Sequence, residues 1–391
     1  HRSPVSVVRM PAPDPRPLVV HVIHRLAVGG LENGLVNLLN GLPEEAFRHA
    51  IVCVEDATDF RQRIRRTDVD VFEMRRGQVG VRRMRGEMLK LFRRLRPDVL
   101  HTRNLSALDA LLPARFAGVR RCVHGEHGRD ANDPHGENRK LIWLRRLHRP
   151  LVTHYITVSK DLESYLQRKV GVPAARITQI YNGVNTVRFA PEGDRLADLM
   201  PPMLGQEGRV LVGTVGRLDA VKDQASLVHA MAQLVTRRPD LRATARLVIV
   251  GDGPLRGELQ ALADGLGIGE LVRFPGALDR VPDALRSLDV FVLPSLSEGI
   301  SNTILEAMAS GLPVLATAVG GNVELVDDGR TGRLFPSGDV PGLVNLLEAY
   351  VSDAALRQGH GRAAREAALA RFSMEAMMNG YAGVYRKLLA G

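Results

Sequence analysis

Glu298-Gly299-Ile300-Ser301-Asn302-Thr303-Ile304-Leu305-Glu306 is the most informative stretch of the chain, because it links a strand signal to a helix signal. The apolar run 289–293 precedes it and is bounded by Pro294, as in a buried parallel strand. After it, residues 307–309 continue a helix that Gly311 and Pro313 end. The stretch therefore predicts a strand, a loop and a helix of an open α/β sheet, and such loops bind ligands.

The two glutamates of this stretch flank the start of the predicted helix. Glu298 lies in the loop, and Glu306 lies about two turns into the helix at 3.6 residues per turn. The helix start offers peptide N–H groups and a positive dipole end, which suit a phosphate. Carboxylates on either side of an anion site are better used to accept hydrogen bonds from hydroxyls, such as those of a ribose and a sugar. The alternative is a capping box from Thr303 to Glu306, in which Glu306 only completes the helix N-terminus.

The composition indicates a globular α/β protein of two domains. The chain has 391 residues, of which 45% are hydrophobic, and this length exceeds one ordinary core. Aromatic residues make up only 4%, so platforms for stacking nucleic-acid bases are scarce, and we expect no nucleic-acid partner. Cys53 and Cys122 lie in predicted strands and share no metal-ligand spacing, which predicts small core residues in a reducing cytoplasm. No run approaches the ~18 apolar residues of a membrane span.

The charge is concentrated in the first half of the chain. Residues 1–190 hold 33 Lys and Arg against 19 Asp and Glu, whereas residues 191–391 hold 20 against 24. This asymmetry predicts an anionic partner for the first half. Within it, the segment 79–96 combines apolar residues at helical spacing with seven basic residues, which is typical of a helix that lies on an anionic membrane surface. The alternative is an ordinary surface helix packed on the core, and the two interpretations are compatible. The basic run 139–149 favours the membrane interpretation.

Strand and helix signals alternate along both halves. We predict strands at 18–24, 49–54, 69–74, 98–101, 121–124, 152–158, 177–181, 210–215, 246–250, 271–274, 289–293 and 314–317. Helical patterns separate them, and three helices end the chain at 341–351, 354–372 and 374–389. The expected architecture is α/β, with two doubly wound Rossmann-like domains that face each other across a cleft. The predicted boundaries are a flexible lead at 1–17, domains at 18–190 and 209–372, a linker at 191–208, and a last helix at 373–391 that packs back on the N-terminal domain.

Several loops after predicted strands carry candidate binding residues. Gly29-Gly30 follows the first strand, which predicts either a phosphate-binding turn or a plain tight turn. His124 and His127 flank the end of the fifth strand, and either could lie at an active site. A metal site there is not favoured, because no third ligand is evident. Asp68 and Asp70 are also predicted to be structural.

The second half opens with a basic pair after its first strand. Arg217 and Lys222 can hold a diphosphate, the arginine through two N–H groups and the lysine as a point charge. The alternative is a pair of solvated surface charges. Gly251-Asp252-Gly253-Pro254 closes the next strand and brings backbone close to a ligand, or else forms an ordinary turn.

Together these motifs resemble the retaining glycosyltransferases of family 4, which have the GT-B fold. The resemblance rests on Gly29-Gly30, on Arg217 with Lys222, on the Gly251–Pro254 turn and on the Glu298–Glu306 pair, and it covers residues 18–390. The run 294–313 is its most specific part. Arg103-Asn104-Leu105 and Gly125-Glu126-His127-Gly128 most resemble the sugar transferases of exopolysaccharide and exosortase loci. The family often has Asp at the position of Asn185, which ends the segment 182–185.

The resemblance implies a role for each motif. Arg217 and Lys222 would hold the donor diphosphate, Glu306 the ribose and Glu298 the transferred sugar. His127 would lie near the reacting centre, although His124 competes for that role. The donor site that the family implies consists of Gly29, Gly30, Arg217, Lys222, Gly253, Leu278, Glu298, Gly299, Ile300, Ser301, Asn302, Thr303 and Glu306.

The implied activity is the transfer of a sugar from a nucleoside diphosphate sugar, UDP-linked by preference, to a hydroxyl of a glycan or lipid-linked acceptor. Neither a metal nor another cofactor is expected. The N-terminal domain would serve the acceptor and the C-terminal domain the donor. We expect a cytoplasmic enzyme of bacterial exopolysaccharide or cell-surface glycan synthesis, with a contact to the inner face of the cell membrane. The alternatives are a sugar-nucleotide epimerase of the same fold and a non-catalytic sugar-nucleotide binding protein.

Overall fold

The computed structural model describes residues 13–130, 133–199 and 208–391. Most of the predicted lead, residues 1–12, and eight residues of the predicted linker, 200–207, lie outside the described residues. Two compact units divide the chain: one comprises His1–Gly125, Pro150–His154 and Tyr385–Gly391, and the other comprises Glu126–Arg149 and Tyr155–Val384. The domain boundaries given above stay predictions.

The described residues form thirteen strands. They are β1 Leu18–Ile23, β2 Arg48–Cys53, β3 Asp70–Glu73, β4 Val99–Arg103, β5 Cys122–Glu126, β6 His154–Thr157, β7 Ile177–Gln179, β8 Val210–Val215, β9 Ala245–Val250, β10 Val272–Gly276, β11 Val290–Leu293, β12 Val314–Thr317 and β13 Gly332–Phe335.

Fourteen α-helices are present in the same described residues. They are α1 Gly30–Gly41, α2 Arg76–Val79, α3 Val81–Leu95, α4 Leu111–Phe116, α5 Arg139–His148, α6 Lys160–Tyr165, α7 Gln224–Arg237, α8 Arg256–Gly265, α9 Val281–Arg286, α10 Asn302–Ala309, α11 Asn322–Leu325, α12 Val340–Ser352, α13 Ala354–Arg371 and α14 Met374–Ala390. Short 3₁₀ segments and one π-helical segment, Leu166–Val170, lie between them.

The first seven strands form a sheet in the order β3-β2-β1-β4-β5-β6-β7. The described pairings within it are parallel. The chain leaves β1 toward β2 on one side and returns to β4 on the other, so the strand order reverses between β1 and β4. Parallel sheets of this kind bind ligands at such a switch point, beyond the carboxyl ends of the strands.

The second sheet has the order β10-β9-β8-β11-β12-β13 and is also parallel. Its strands are buried on both faces. Leu247 and Ile249 of β9 pack with α7, α8 and α12, whereas Val248 and Val250 pack with α9, α10 and α13. Helices therefore cover both faces, and the predicted doubly wound α/β fold with two parallel sheets is confirmed. The switch point of this sheet lies between β8 and β11.

Most element predictions are confirmed, and the exceptions have local causes. All twelve predicted strands exist, but β13 was not predicted, because Gly332–Phe335 has only four residues, and a glycine and an arginine are two of them. The basic segment 79–96 is a helix from Val81 to Leu95, preceded by a separate turn that ends at Gly80 with φ of +80°. A positive φ favours glycine and interrupts a helix.

Two further sequence expectations concern the core and the membrane. Cys53 and Cys122 are free and buried, and burial raises the pKa of each thiol to about 12. They are inert core residues at neutral pH. Across the three described ranges, no helix combines the length and the apolar character that a bilayer crossing needs.

Candidate active site

The loops after β8 and β11 meet at the switch point of the second sheet. Leu296 N donates a hydrogen bond of 2.8 Å to the Val221 carbonyl, which ties the two loops together. Beside this bond, Lys222 Nζ lies 2.6 Å from Glu298 Oε1. The structure thus joins two residues that the sequence assigned to different parts of a donor, and it joins them where open α/β sheets bind ligands.

Glu298 has a second partner that the sequence did not reveal. Ser295 Oγ donates to the same Oε1 atom at 2.6 Å, and the Glu298 side chain is only 9% exposed. Within the described residues, Oε2 of Glu298 accepts no hydrogen bond. One oxygen therefore orients the carboxylate and the other can accept a hydrogen bond from a ligand hydroxyl. A polar residue directly after the Pro294 that ends a buried strand is the signal that could have identified Ser295.

Arg217 has a fixed backbone and an exposed guanidinium. Gln224 Nε2 donates a 2.9 Å hydrogen bond to the Arg217 carbonyl, while the Arg217 side chain is 68% exposed. Its ion pair with Asp219, at 3.4 Å, is a surface pair of small energetic value. The guanidinium can thus leave Asp219 and bind a phosphate at little cost.

The loop after β9 packs tightly on the loop after β8. Leu218 N donates to the Asp252 carbonyl at 3.0 Å. A Cβ on Gly251, which has φ of +136°, would overlap the Gly216 carbonyl, and a Cβ on Gly253 would lie 2.7 Å from Leu218 N. Only glycine permits this approach, so Gly253 supports the Arg217 loop through close backbone packing.

The loop after β12 supports the Glu298 loop in the same way. Gly321 N donates to the Gly299 carbonyl at 3.1 Å, and a Cβ on Gly320 would overlap the Glu298 carbonyl. Gly320 has φ of +51°, which also favours glycine. Gly320 and Gly321 were not predicted to have a role, although two glycines three residues after a strand are a recognisable signal.

Ser301, and not Thr303, is the N-cap of α10. Its Oγ accepts a 3.2 Å hydrogen bond from Ile304 N, so the proposed capping box between Thr303 and Glu306 is wrong. Glu306 is the fifth residue of α10, nearer the helix start than the two turns we expected. Within the described residues, the peptide N–H groups of 299–303 donate no hydrogen bond. They form a row of donors at the positive end of a helix, which is the arrangement that binds phosphate.

Glu306 is a half-buried carboxylate that has no side-chain partner in the described residues. No side-chain hydrogen bond or ion pair involves it within the described residues, and burial raises its pKa to about 7, an effect that the positive charge of Arg188 only partly offsets. A buried carboxylate usually has hydrogen-bond partners, so a ligand hydroxyl would satisfy it.

Other predicted donor residues lie on the same unit. Ile300 and Leu278 are partly buried and pack on the apolar cluster below α10. Asn302 is exposed as the first residue of α10, and Leu278 follows the end of β10 at Gly276. No measured contact links Leu278 to the Lys222–Glu298 pair, so its place beside a nucleotide base stays a prediction.

The remaining predicted residues lie at the carboxyl ends of strands in the first sheet. Gly29 is the N-cap of α1 and Gly30 its first residue, with Glu32 in the first turn. His124 lies within β5, and its Nδ1 is 2.7 Å from Thr102 Oγ1. His127 directly follows the last residue of β5 and is half-buried. His127 therefore lies in the loop after β5 and His124 within the strand, and which of the two lies at the reacting centre stays a prediction.

Asp68, two residues before β3, has a structural environment. Asp68 lies 2.7 Å from Arg66 Nη2 and 3.3 Å from Arg16 Nη1, and the hydrogen bond from Arg66 lowers its pKa to about 2. Over the part of the chain that the structure describes, no group of three or more His, Cys, Asp and Glu side chains could hold a metal ion.

The geometry defines a class: a two-sheet α/β protein in which a helix start, a lysine and two carboxylates lie at the switch point of the second sheet. Comparisons agree. Residues 28–188 match the family described as Glycosyltransferase Family 4, and residues 209–353 match Glycosyl transferases group 1. The chain belongs to this family of glycosyltransferases, and its GT-B fold is confirmed.

Relatives and solved structures extend the match. The UDP-Gal:alpha-D-GlcNAc-diphosphoundecaprenol alpha-1,3-galactosyltransferase of Escherichia coli is 30% identical over 69% of this chain and 70% of its own length. A GDP-mannose-dependent alpha-(1-6)-phosphatidylinositol monomannoside mannosyltransferase of Mycolicibacterium smegmatis is 33% identical over 66% and 67%. Anabaena Alr3699/HepE in complex with UDP superposes with a TM-score of 0.76 at 20% identity, over 95% of this chain and 100% of that one. Several further relatives are matched over only 43–57% of their own length.

Proposed function

We propose that this glycosyltransferase moves a sugar from a UDP sugar to a hydroxyl of a glycan or lipid-linked acceptor, with retention of the anomeric configuration. The observation that carries the proposal is the row of peptide N–H groups at 299–303 next to the Lys222–Glu298 pair. Five donors and an ammonium group at one helix start provide positive potential for the two phosphates of a nucleotide.

The reaction breaks the bond between the anomeric carbon and the β-phosphate oxygen, and the acceptor oxygen bonds to that carbon. The acceptor proton passes to the departing phosphate, on the same face of the sugar. Arg217, Lys222 and the N–H groups of 299–303 stabilise the charge that develops on the diphosphate, so the proposal needs no divalent metal.

The carboxylates position the donor on either side of the diphosphate. Glu298 Oε2 accepts a hydrogen bond from a hydroxyl of the transferred sugar, because Oε1 is already held by Lys222 and Ser295. Glu306 accepts hydrogen bonds from the ribose, and Leu278 lies beside the base. His127 lies near the reacting centre, and Gly29-Gly30 approaches the phosphates or the acceptor.

Two comparisons support the donor and acceptor classes. The Escherichia coli relative is named for UDP-Gal and a diphosphoundecaprenol-linked acceptor, and the Anabaena structure holds UDP. The Mycolicibacterium relative is named for GDP-mannose, so a GDP sugar is the rival donor. A role in bacterial exopolysaccharide or cell-surface glycan synthesis, in the cytoplasm, is part of the same proposal.

The exposed surface of α3 and α4 supports contact with an anionic membrane. Helix α3 buries Met84, Met88, Leu91 and Phe92, which confirms the core-packing interpretation of this helix. Its exposed side is basic, and Leu112 and Phe116 of the neighbouring α4 are 42% and 69% exposed. We call the exposed arginines and these two apolar residues the basic face: Arg82, Arg83, Arg93, Arg94, Arg96, Leu112 and Phe116. Arg145 of the second basic run is buried against Glu126 at 2.7 Å, so it cannot contribute.

The test combines nucleotide binding with product analysis. A thermal-shift screen should show stabilisation by UDP and UDP sugars over GDP and ADP compounds, since a ligand at 100 times its Kd adds ~2.7 kcal/mol. Lys222→Ala and Glu306→Ala proteins should keep their fold and lose nucleotide release from the sugar donor. Unchanged turnover in both would refute the assignment. A new sugar nucleotide formed without acceptor would indicate an epimerase, and binding without nucleotide release a non-catalytic protein.

A further inference from the structure

A buried cation lies at the switch point of the first sheet. Arg103 is the last residue of β4 and is only 2% exposed. Within the described residues, no carboxylate lies at ion-pair distance from it. Its one hydrogen-bond partner there is Nδ1 of His21 on the neighbouring strand β1, at 3.0 Å from Arg103 Nη1. A buried charge is costly unless it is paired, so the positive charge of Arg103 requires a partner.

The neighbouring histidines cannot supply a negative charge. An arginine only donates hydrogen bonds, so His21 Nδ1 must be the acceptor and the proton must be on Nε2. That Nε2 lies 3.0 Å from His49 Nδ1, which is therefore an acceptor too. Both rings are thus neutral, and burial lowers the pKa of each, with the charge of Arg103 adding to the effect on His21.

The other side of this cluster is aromatic. His101 of β4 faces α14, and its Nδ1 lies 2.6 Å from Tyr385 Oη. The His21 and His101 rings lie 5.8 Å apart, and the Tyr385 ring packs edge-on against both. Aromatic side chains therefore line this part of the cluster, and a buried environment of this kind strengthens any ion pair that Arg103 makes.

The backbone after Arg103 is strained at the same place. Asn104 has φ of +59° and ψ of −176°, a region that is almost exclusive to glycine. A 2.9 Å hydrogen bond from Asn104 N to the Gly125 carbonyl of β5 holds it. Strain of this kind concentrates at ligand sites, and here it directly follows the buried cation at the carboxyl end of β4.

We infer that Arg103 binds an oxyanion of the acceptor, namely a phosphate or diphosphate group, at the β1–β4 switch point. The planar guanidinium can bind two phosphate oxygens with its remaining N–H groups, which are not sealed from solvent. His21 fixes the guanidinium through Nη1, which leaves Nε and Nη2 of Arg103 for the ligand. The inference rests on the proposed function, because it names the class of acceptor that the transferase recognises.

The test uses inorganic diphosphate as the probe and protein saturated with UDP, so that the donor site is occupied. Calorimetry should detect diphosphate binding to the wild-type chain, weakened about 10- to 100-fold by Arg103→Gln, as expected for charged hydrogen bonds. Arg362→Gln is the matched control, because it also removes one guanidinium charge, from an exposed position outside both proposed sites, and it should leave this binding unchanged. Equal affinities for wild type and Arg103→Gln, or no binding to the wild type, would overturn the inference.

A second variant and a kinetic measurement complete the test. If Arg103→Gln fails to fold, Arg103→Lys is the second variant. It keeps the positive charge but lacks the planar, paired N–H donors of a guanidinium, so its affinity for diphosphate should still fall. With a phosphorylated acceptor, Arg103 variants should raise the acceptor KM and leave the donor KM unchanged; a shift in the donor KM alone contradicts the inference. Failure of UDP to bind the wild type would refute the proposed function, while diphosphate binding to nucleotide-free Arg217→Gln protein still reports on Arg103.

Discussion

Glu306 should make the stability of the protein fall as the pH rises. Its pKa is about 7 in the folded chain against 4.5 in an unfolded chain, so the folded state binds the proton more tightly than the unfolded state. The penalty is absent below pH 4.5, grows between pH 4.5 and 7, and is complete above pH 7. Glu306→Gln removes it, and we expect this variant to exceed the wild type by ~2–3 kcal/mol at pH 8. Urea unfolding at pH 5 and pH 8 measures the difference.

The same carboxylate links nucleotide binding to pH. Ribose hydroxyls donate to the ionised form, so binding should release a proton near pH 6.5. Calorimetry in two buffers of different ionisation enthalpy measures this release, and Glu306→Gln should abolish it. A stability gain for Glu306→Gln that is the same at pH 5 and pH 8 would show that Glu306 is not the titrating group.

Lys222 should matter for catalysis far more than its ion pair matters for stability. Lys222→Met removes a cation from the proposed diphosphate site, and the loss of one such donor costs ~2.7–4 kcal/mol of barrier, or about 100- to 1000-fold in kcat. Lys90→Met is the control, because it removes an exposed ion pair with Glu87 at 3.4 Å. Nucleotide release should fall only in the first variant, and equal loss in both would contradict the assignment.

At the scale of single elements, Ser301 and Thr303 should differ in what they contribute to α10. Ser301→Ala removes the N-cap hydrogen bond to Ile304 N and should cost ~1 kcal/mol of unfolding free energy. Thr303→Ala removes only a hydroxyl contact at 3.0 Å with Ser301 and should cost less than half as much. Chemical denaturation of both variants decides between them, and the reverse order would restore Thr303 as the cap.

The loop after β12 should tolerate no side chain at Gly320. Gly320→Ala combines a positive φ with an overlap on the Glu298 carbonyl, so it should displace the Glu298 loop and weaken nucleotide binding. Gly329→Ala is the matched control, since its φ of +85° is also positive but open space surrounds its Cβ position. We expect ~1 kcal/mol for the control, from backbone strain alone, and clearly more for Gly320→Ala. Equal losses in thermal denaturation would contradict the overlap.

These elements show where sequence reasoning succeeds and where it stops. Strand β11 and helix α10 were predictable, because an apolar run, a proline and a glycine mark their ends locally. The N-cap of α10 was not predictable, since Ser301 and Thr303 are both good capping residues. Only the extended backbone conformation of Ser301 identifies it as the cap. The Ser295–Glu298 hydrogen bond and the Gly320 contact depend on how three loops pack, which no single segment encodes.

At the scale of the whole molecule, the alternation of strands and helices was sufficient to predict two parallel sheets. The strand order was not, because nothing in β8 or β11 alone specifies that they become neighbours. That pairing creates the switch point that joins Lys222 to Glu298 across 76 residues of chain. The buried cluster around Arg103 was missed for a related reason: its histidines come from β1, β2 and β4, and each alone is an ordinary strand residue.

The uneven charge of the chain should make its membrane binding depend on lipid charge and salt. Vesicles rich in anionic lipid should bind the protein at low ionic strength and release it at high salt, because exposed charges are screened. Arg93→Gln/Arg94→Gln removes two arginines of the basic face and should weaken binding by about 10- to 30-fold, at ~1 kcal/mol per arginine. Arg330→Gln/Arg362→Gln removes the same charge from exposed positions of the other compact unit and should have little effect.

Phe116→Ser should lower the part of the binding that survives in high salt, since an exposed aromatic ring contributes apolar area that salt does not screen. Sedimentation with vesicles measures all three, and equal losses for the two arginine pairs would mean that net charge, rather than this face, attracts the protein.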